Sequence, residues 1–198
     1  IQTEVQRIRA FANPLGPMDQ GANIIAVPAS VGSESPAIRA AVEWAGERGV
    51  LIVVAAGNEA ASEPGYLAQL SREFSHVLSV GAFDASGNRL PESNRVGLSG
   101  TVQLDAPGVT FGPGLGGTTT TWRGTSVSTA ITGAAAALAL WKNPELDARQ
   151  LRELLLATAT SPGSGSDSVG RIDIGRSLEL AAQLNEVAFL DNGTQFIV

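Results

Sequence analysis

An α/β fold built around a parallel sheet is predicted by three features of this chain. Apolar, β-branched runs recur at 24–28, 50–56 and 76–83, each of a length that suits a strand buried on both faces. The first two flank a capped segment of helical spacing, which is the pattern of a right-handed βαβ unit. Further on, 125–141 carries Gly, Ala, Ser and Leu around its whole circumference, as a helix buried on all sides would.

Taken in order, residues 1–22 are of mixed character and suggest no element. Residues 24–28 (IIAVP) give the first strand. Ser35-Pro36 then supplies a cap and a proline at the first helical position. Ile38, Ala41, Val42 and Ala45 follow at helical spacing, and Gly49 closes a helix over 36–48. The second strand is 50–56 (VLIVVAA). Between Asn58 and Ser75 there are too many breakers for a single element. HVLSVGAF (76–83) is the third strand and DASGN (84–88) a turn. TVQLDAPGV (101–109) reads as strand then turn, and the Gly- and Thr-rich stretch 111–121 as loop. After the 125–141 helix, Asp147 caps another with Leu151, Leu154 and Leu155 inward. SPGSGSD (161–167) is a surface loop, 175–186 a last amphipathic helix, and Asn192-Gly193 between apolar runs predicts a hairpin over 187–198. With no internal repeat and no linker, residues 1–198 read as one domain.

Composition narrows the function. A net charge of −6, with 13 Lys and Arg spread along the chain, argues against a nucleic-acid partner. The absence of Cys removes disulfides, thiol catalysis and Cys-ligated metal. The longest near-continuous apolar stretch, 134–141, is far short of a membrane span, so no membrane partner is expected. The chain opens on Ile1 without a signal-peptide pattern, which leads us to expect that it is a piece of something longer.

Two segments carry chemistry. AAGNE (55–59) ends a buried parallel strand, and the C-terminal edge of such a sheet is where ligands gather. Asn58 there offers a rigidly held side-chain N–H, although a plain Gly-Asn turn has the same appearance. In WRGTSVSTA (122–130) a Gly-Thr-Ser loop runs into a helix. It sets Ser126 at a helix N-terminus, where free N–H groups and the helix dipole favour negative charge. Alone, Thr125 or Ser126 reads equally as an ordinary N-cap. Together the two segments supply a nucleophile and two donors for a tetrahedral oxyanion, the Ser126 N–H and the Asn58 amide.

The order VPASVG (27–32), VLIVVAAGNE (50–59), GYLA (65–68), HVLSVGAFDASGNR (76–89), LDAPGV (104–109) and RGTSVSTAITGAAAAL (123–138) resembles the C-terminal portion of the subtilisin-like serine proteases, the subtilase family, over 23–180. The resemblance implies a doubly wound, mainly parallel sheet with helices on both faces, incomplete at its N-terminal side. It implies a serine endopeptidase with Ser126 as nucleophile and Asn58 in the oxyanion hole. Ser30, Val31 and Gly32 match the edge segment that pairs with extended polypeptide substrate, while Ala56, Gly57, Gly65 and Ala68 match walls of the primary specificity pocket. It admits calcium as the one cofactor, though no acidic cluster has calcium-loop spacing, and it favours a secreted or periplasmic setting.

This sequence also departs from the family. The triad needs an Asp and a His, both normally upstream of everything matched, and the single histidine, His76, opens a strand and reads as a packing or surface residue. The N-terminal half of the same protease is therefore an expected partner. Past the nucleophile the usual proline and non-catalytic histidine are Ala130 and Ile131, and Pro28 replaces an asparagine, removing a backbone donor. Three readings follow: an active protease whose Asp and His lie upstream, a non-catalytic peptide binder on the same fold, and an unrelated ligand-binding domain with a phosphate loop at 112–117. The last lacks the strand–loop–helix context and a lysine.

Overall fold

The computed structural model describes residues 21–97, 100–160 and 169–184. Four strands form one sheet in the order β1-β2-β3-β4: β1 (Ile24–Val27), β2 (Leu51–Ala55), β3 (Val77–Phe83) and β4 (Leu104–Pro107). All three pairings are parallel, with Ile24 opposite Leu51, Ile52 opposite Val77 and Val80 opposite Leu104. The expected strands are thus present and parallel.

β2 is buried along its whole length, and its alternate residues divide the core. Ile52 and Val54 face one layer with Ile38, Val42 and Leu67; Leu51 and Val53 face the other with Ala135, Leu151 and Leu155. Helix α1 (Pro36–Gly46) and the short α2 (Tyr66–Gln69) build the first layer. Helices α3 (Thr125–Lys142), α4 (Ala148–Ala157) and α5 (Ile174–Gln183) contribute to the second. Helices therefore cover both faces of the sheet.

The caps behave as their residue types dictate. Ser35 accepts the Ile38 N–H with Pro36 behind it, and the inward face of α1 is Ile38, Ala41, Val42 and Ala45. Asp147 and Gln150 form a reciprocal capping box that sets Leu151, Leu154 and Leu155 into the core. Burial of each of these leucines stabilises the fold by ~1.5–3 kcal/mol.

Two expectations are corrected. The stretch 111–121 is not loop: β5 (Val109–Pro113) and β6 (Thr119–Arg123) form an antiparallel hairpin around a 3-10 turn at Leu115–Gly117. Thr, Val, Phe and Trp supply the β propensity there, and Trp122 lies across Gly112, where it fills the space of the missing side chain. Nor is α3 buried on every face. It sends Thr125, Ser128, Thr132, Ala135, Ala136 and Ala139 inward but leaves Leu138 and Trp141 exposed. Small residues are needed only where the helix crosses close to the sheet, as at Gly133, whose Cβ would stand 3.1 Å from that of Ala26. The predicted loop 161–167 and hairpin 187–198 lie outside the described residues, as do residues 1–20 of the unassigned early segment.

Candidate active site

The chemistry-bearing residues gather at the C-terminal edge of the parallel sheet. Pro28 follows β1, Asn58 follows β2, and Ser126 stands in the first turn of α3. Gly124 is the N-cap of that helix and makes no side-chain cap, so neither Thr125 nor Ser126 serves as one. The capping oxygen comes from another element: Asn58 Oδ1 accepts the Thr125 N–H at 2.8 Å and the Thr125 hydroxyl at 3.1 Å. The Thr125 hydroxyl oxygen in turn accepts the Gly57 N–H at 3.3 Å. With Oδ1 committed to an N–H, the orientation of the amide is fixed and its NH₂ faces away as a donor.

Gly124 is required twice over. Its φ of 125° lies where side chains are strained, and a Cβ there would stand 2.9 Å from Asn58 Oδ1. Thr129 and Ser128 secure the rest of the first turn, Thr129 to the Thr125 carbonyl and Ser128 to the Ala106 and Pro107 carbonyls. Ser126, half-buried, is thus held next to a fixed Thr125, and its hydroxyl donates to the Pro28 carbonyl at 3.0 Å. What Pro28 brings to the site is this acceptor. A carbonyl takes no proton at neutral pH, so this contact orients the hydroxyl without activating it.

His76 stands elsewhere. It precedes β3, at the opposite edge of the sheet from Asn58 and Ser126, a strand's length or on the order of 15–20 Å away. Its Nε2 lies 3.0 Å from the Val42 carbonyl, its ring packs over Gly46 and against Phe74, and burial lowers its pKa below the usual histidine value. Because a carbonyl only accepts, Nε2 carries the proton of a neutral ring.

Among the other residues singled out from sequence, Ser30 and Gly65 converge with Gly57. The Ser30 Oγ would stand 2.5 Å from a Cβ at Gly65 and 3.0 Å from one at Gly57. The Val31 carbonyl accepts the Tyr66 N–H, and Gly32 is exposed with open space before it. Ser30, Gly32 and Gly65 line a cavity of about 400 Å³ with Glu59, Glu63, Gln69 and Asn94. Ala56 and Ala68 are fully buried and pack in the core behind it.

Sequence reasoning missed Asn94. It is buried, and its Oδ1 accepts the N–H groups of Glu59 at 3.0 Å and Ala61 at 2.9 Å. Its Nδ2 donates to the Ala56 carbonyl at 3.0 Å and to Glu59 Oε2 at 2.8 Å. No short motif marks this residue; only the tertiary fold brings it to the 56–61 loop. Among the described residues, no group of three or more His, Asp or Glu comes together to hold a metal, and no helix is long and apolar enough to cross a membrane.

Comparison with known proteins bears on the family and the fold. The model of the subtilase family matches residues 2–178. Subtilisin BL of Lederbergia lenta is 38% identical over 138 residues, 68% of this chain and 49% of that protein. Subtilisin DY of Bacillus licheniformis is 33% identical over 144 residues, 72% of this chain and 52% of that one. The chain spans about half the length of the curated relatives it matches. Among solved structures, the prenylagaramide maturation protease PagA superposes with a TM-score of 0.76 at 28% identity, covering 91% of this chain and 67% of that one. The subtilase cytotoxin SubAB assembly, at 19% identity and a TM-score of 0.79 over 93% of this chain and 67% of that one, shares the fold. An asparagine after the second strand, a Gly-Thr-Ser turn entering the helix beneath the sheet, and a family match over most of its length make this chain a member of the subtilase family.

Proposed function

We propose that the chain is the nucleophile-bearing portion of a subtilisin-like serine endopeptidase acting on extended polypeptide. In this reading Ser126 Oγ attacks the scissile carbonyl carbon, and the C=O electron pair moves onto the oxygen. The resulting oxyanion is met by the Asn58 amide NH₂ and the Ser126 backbone N–H. The hydroxyl proton passes to a histidine base, oriented by an aspartate, and then to the departing amine as the C–N bond breaks. Water repeats the sequence on the acyl-enzyme. His76 stands at the opposite edge of the sheet, out of reach of Ser126, so the base and its aspartate are assigned to residues outside these 198. Ser30 and Gly32 supply backbone groups for the substrate strand, with Val31 turned to Tyr66. Export from the cell belongs to the same reading and rests on the family alone.

The observation that carries the reading is the Asn58–Thr125 bond, which ties the oxyanion amide to the residue before the nucleophile. A fluorophosphonate probe tests it. Residues 1–198 alone are expected to stay unlabelled, the protein extended upstream through its Asp and His to label, and Ser126→Ala to abolish labelling. Strong labelling of the isolated chain would mean that another group serves as base.

A second reading, a non-catalytic peptide binder, is favoured by Ala130 and Ile131 in the altered first turns of α3 and by the Ser126 hydroxyl being turned to a carbonyl. An extended protein that binds peptides yet never labels would decide for it.

A further inference from the structure

The segment that carries Asn58 is held in a conformation it would not choose alone. Gly57 has a φ of 111° and Ala60 a φ of 51°, the single positive value at a non-glycine among the described residues. An alanine in the left-handed region costs ~1–3 kcal/mol and persists only where surrounding contacts impose it. Several of the contacts that impose it here come from one residue, Asn94, beside others from Glu92, Arg95 and Thr125. The Asn94 side chain fills all of its principal hydrogen-bonding directions within this loop, accepting from Glu59 and Ala61 and donating to the Ala56 carbonyl and Glu59 Oε2. Its backbone N–H donates to the Gly57 carbonyl at 3.0 Å, and the Glu92 carbonyl accepts the Ala60 N–H at 2.9 Å. The amide lies directly over Gly57, whose Cβ would stand 2.3 Å from Asn94 Nδ2. Asn94 is in turn anchored from behind, since its carbonyl accepts from Arg89 Nη2 at 2.8 Å, and Arg89 pairs with Asp105 on β4.

We propose that Asn94 is a positioning residue for Asn58: it clamps residues 56–61 from both sides of the oxyanion asparagine, so that the Asn58 amide keeps its bond to Thr125 and its NH₂ keeps its aim. This deepens the endopeptidase reading and rests on it for its catalytic consequence. Asn94 itself touches no reacting atom. A buried amide that only filled space would not need all four bonds placed on one loop, and a donor aimed at developing charge loses most of its effect when displaced by about 1 Å.

The test uses the protein extended upstream through its Asp and His, with a peptide anilide as substrate. Asn94→Ala is expected to lower kcat roughly 10–100-fold with KM little changed. In the double variant Asn58→Ala/Asn94→Ala the loss should be no greater than in Asn58→Ala alone, because the clamp has nothing left to aim. Asn94→Asp keeps the two accepted N–H bonds, guards against a variant that fails to fold, and should fall between wild type and Asn94→Ala. Unchanged kcat in Asn94→Ala, or losses that multiply in the double variant, would overturn the proposal. Hydrogen exchange at the Glu59 and Ala61 amides reads the clamp without turnover: faster exchange in Asn94→Ala supports it, and unchanged exchange overturns it. A wild-type protein without turnover whose amides nevertheless respond would sink the endopeptidase reading and leave the clamp on Asn58 standing.

Discussion

Asn58 and Thr125 lie 67 positions apart, yet the Asn58 side-chain oxygen stands 2.8 Å from the Thr125 nitrogen and 3.1 Å from its hydroxyl. One amide therefore does two jobs at opposite ends. Its oxygen caps α3, and in the proposed reading its NH₂ is the donor to the oxyanion. Asn58→Ala is expected to lower turnover of the extended protein by about 10²–10³-fold, the range known for the corresponding donor in subtilisin, with peptide binding largely kept. Because the cap is lost too, stability should fall by roughly 1 kcal/mol. Chemical denaturation read beside turnover checks both.

Gly124→Ala attacks the same bond from the other side. The substitution places a Cβ 2.9 Å from Asn58 Oδ1 at a φ of 125°. The strain should cost ~1–3 kcal/mol, and relieving it moves either Asn58 or the start of α3. Loss of labelling at Ser126 together with a lower Tm is the expected result. A variant that labels at the wild-type rate would mean that the turn has room this geometry does not show.

His76 calls for the opposite pattern. Its ring fills the space over Gly46 and donates to the Val42 carbonyl. His76→Ala should cost about 1–3 kcal/mol through the cavity and the unpaired carbonyl, while fluorophosphonate labelling of the folded, extended protein is unchanged. Lost labelling at full folding would draw His76 into the mechanism and contradict its place at the far edge of the sheet.

What could be read in the sequence was whatever has a period or a motif. The alternation of β2 between two cores is implicit in a run of apolar residues too short for a helix, and the inward face of α1 is spelled out by Ile38, Ala41, Val42 and Ala45. AAGNE and GTS pointed to Asn58 and Ser126 because each sits at an element boundary. The β5–β6 hairpin was hidden by its glycines and Pro113, which signal loop more strongly than threonines signal strand. The exposed side of α3 was hidden for the reverse reason: a circumference of small apolar residues does not say which side meets the sheet. Asn94 was illegible because its role depends on a loop that is 33 to 38 positions away in sequence.

Asp105 should make stability depend on pH in an uncommon direction. It is buried on β4, and burial pushes its pKa from 3.8 up to about 6, although Arg89 and Arg171 pull it down. Arg89 Nη1 stands 3.2 Å from its carboxylate. A folded pKa above the unfolded one means that the native state holds the proton more tightly. The contribution is full below pH 3.8, declines between there and about 6, and is gone above. The shift of about two units corresponds to on the order of 3 kcal/mol. Asp105→Asn removes this titration while keeping the shape. Its Tm relative to wild type should therefore be more favourable at pH 7 than at pH 4.5, whatever the constant offset from leaving Arg89 without its counter-charge. Scanning calorimetry of both proteins at the two pH values gives the difference directly. A difference that stays flat, or that runs the other way, would show that Arg89 and Arg171 outweigh burial and hold Asp105 ionised throughout.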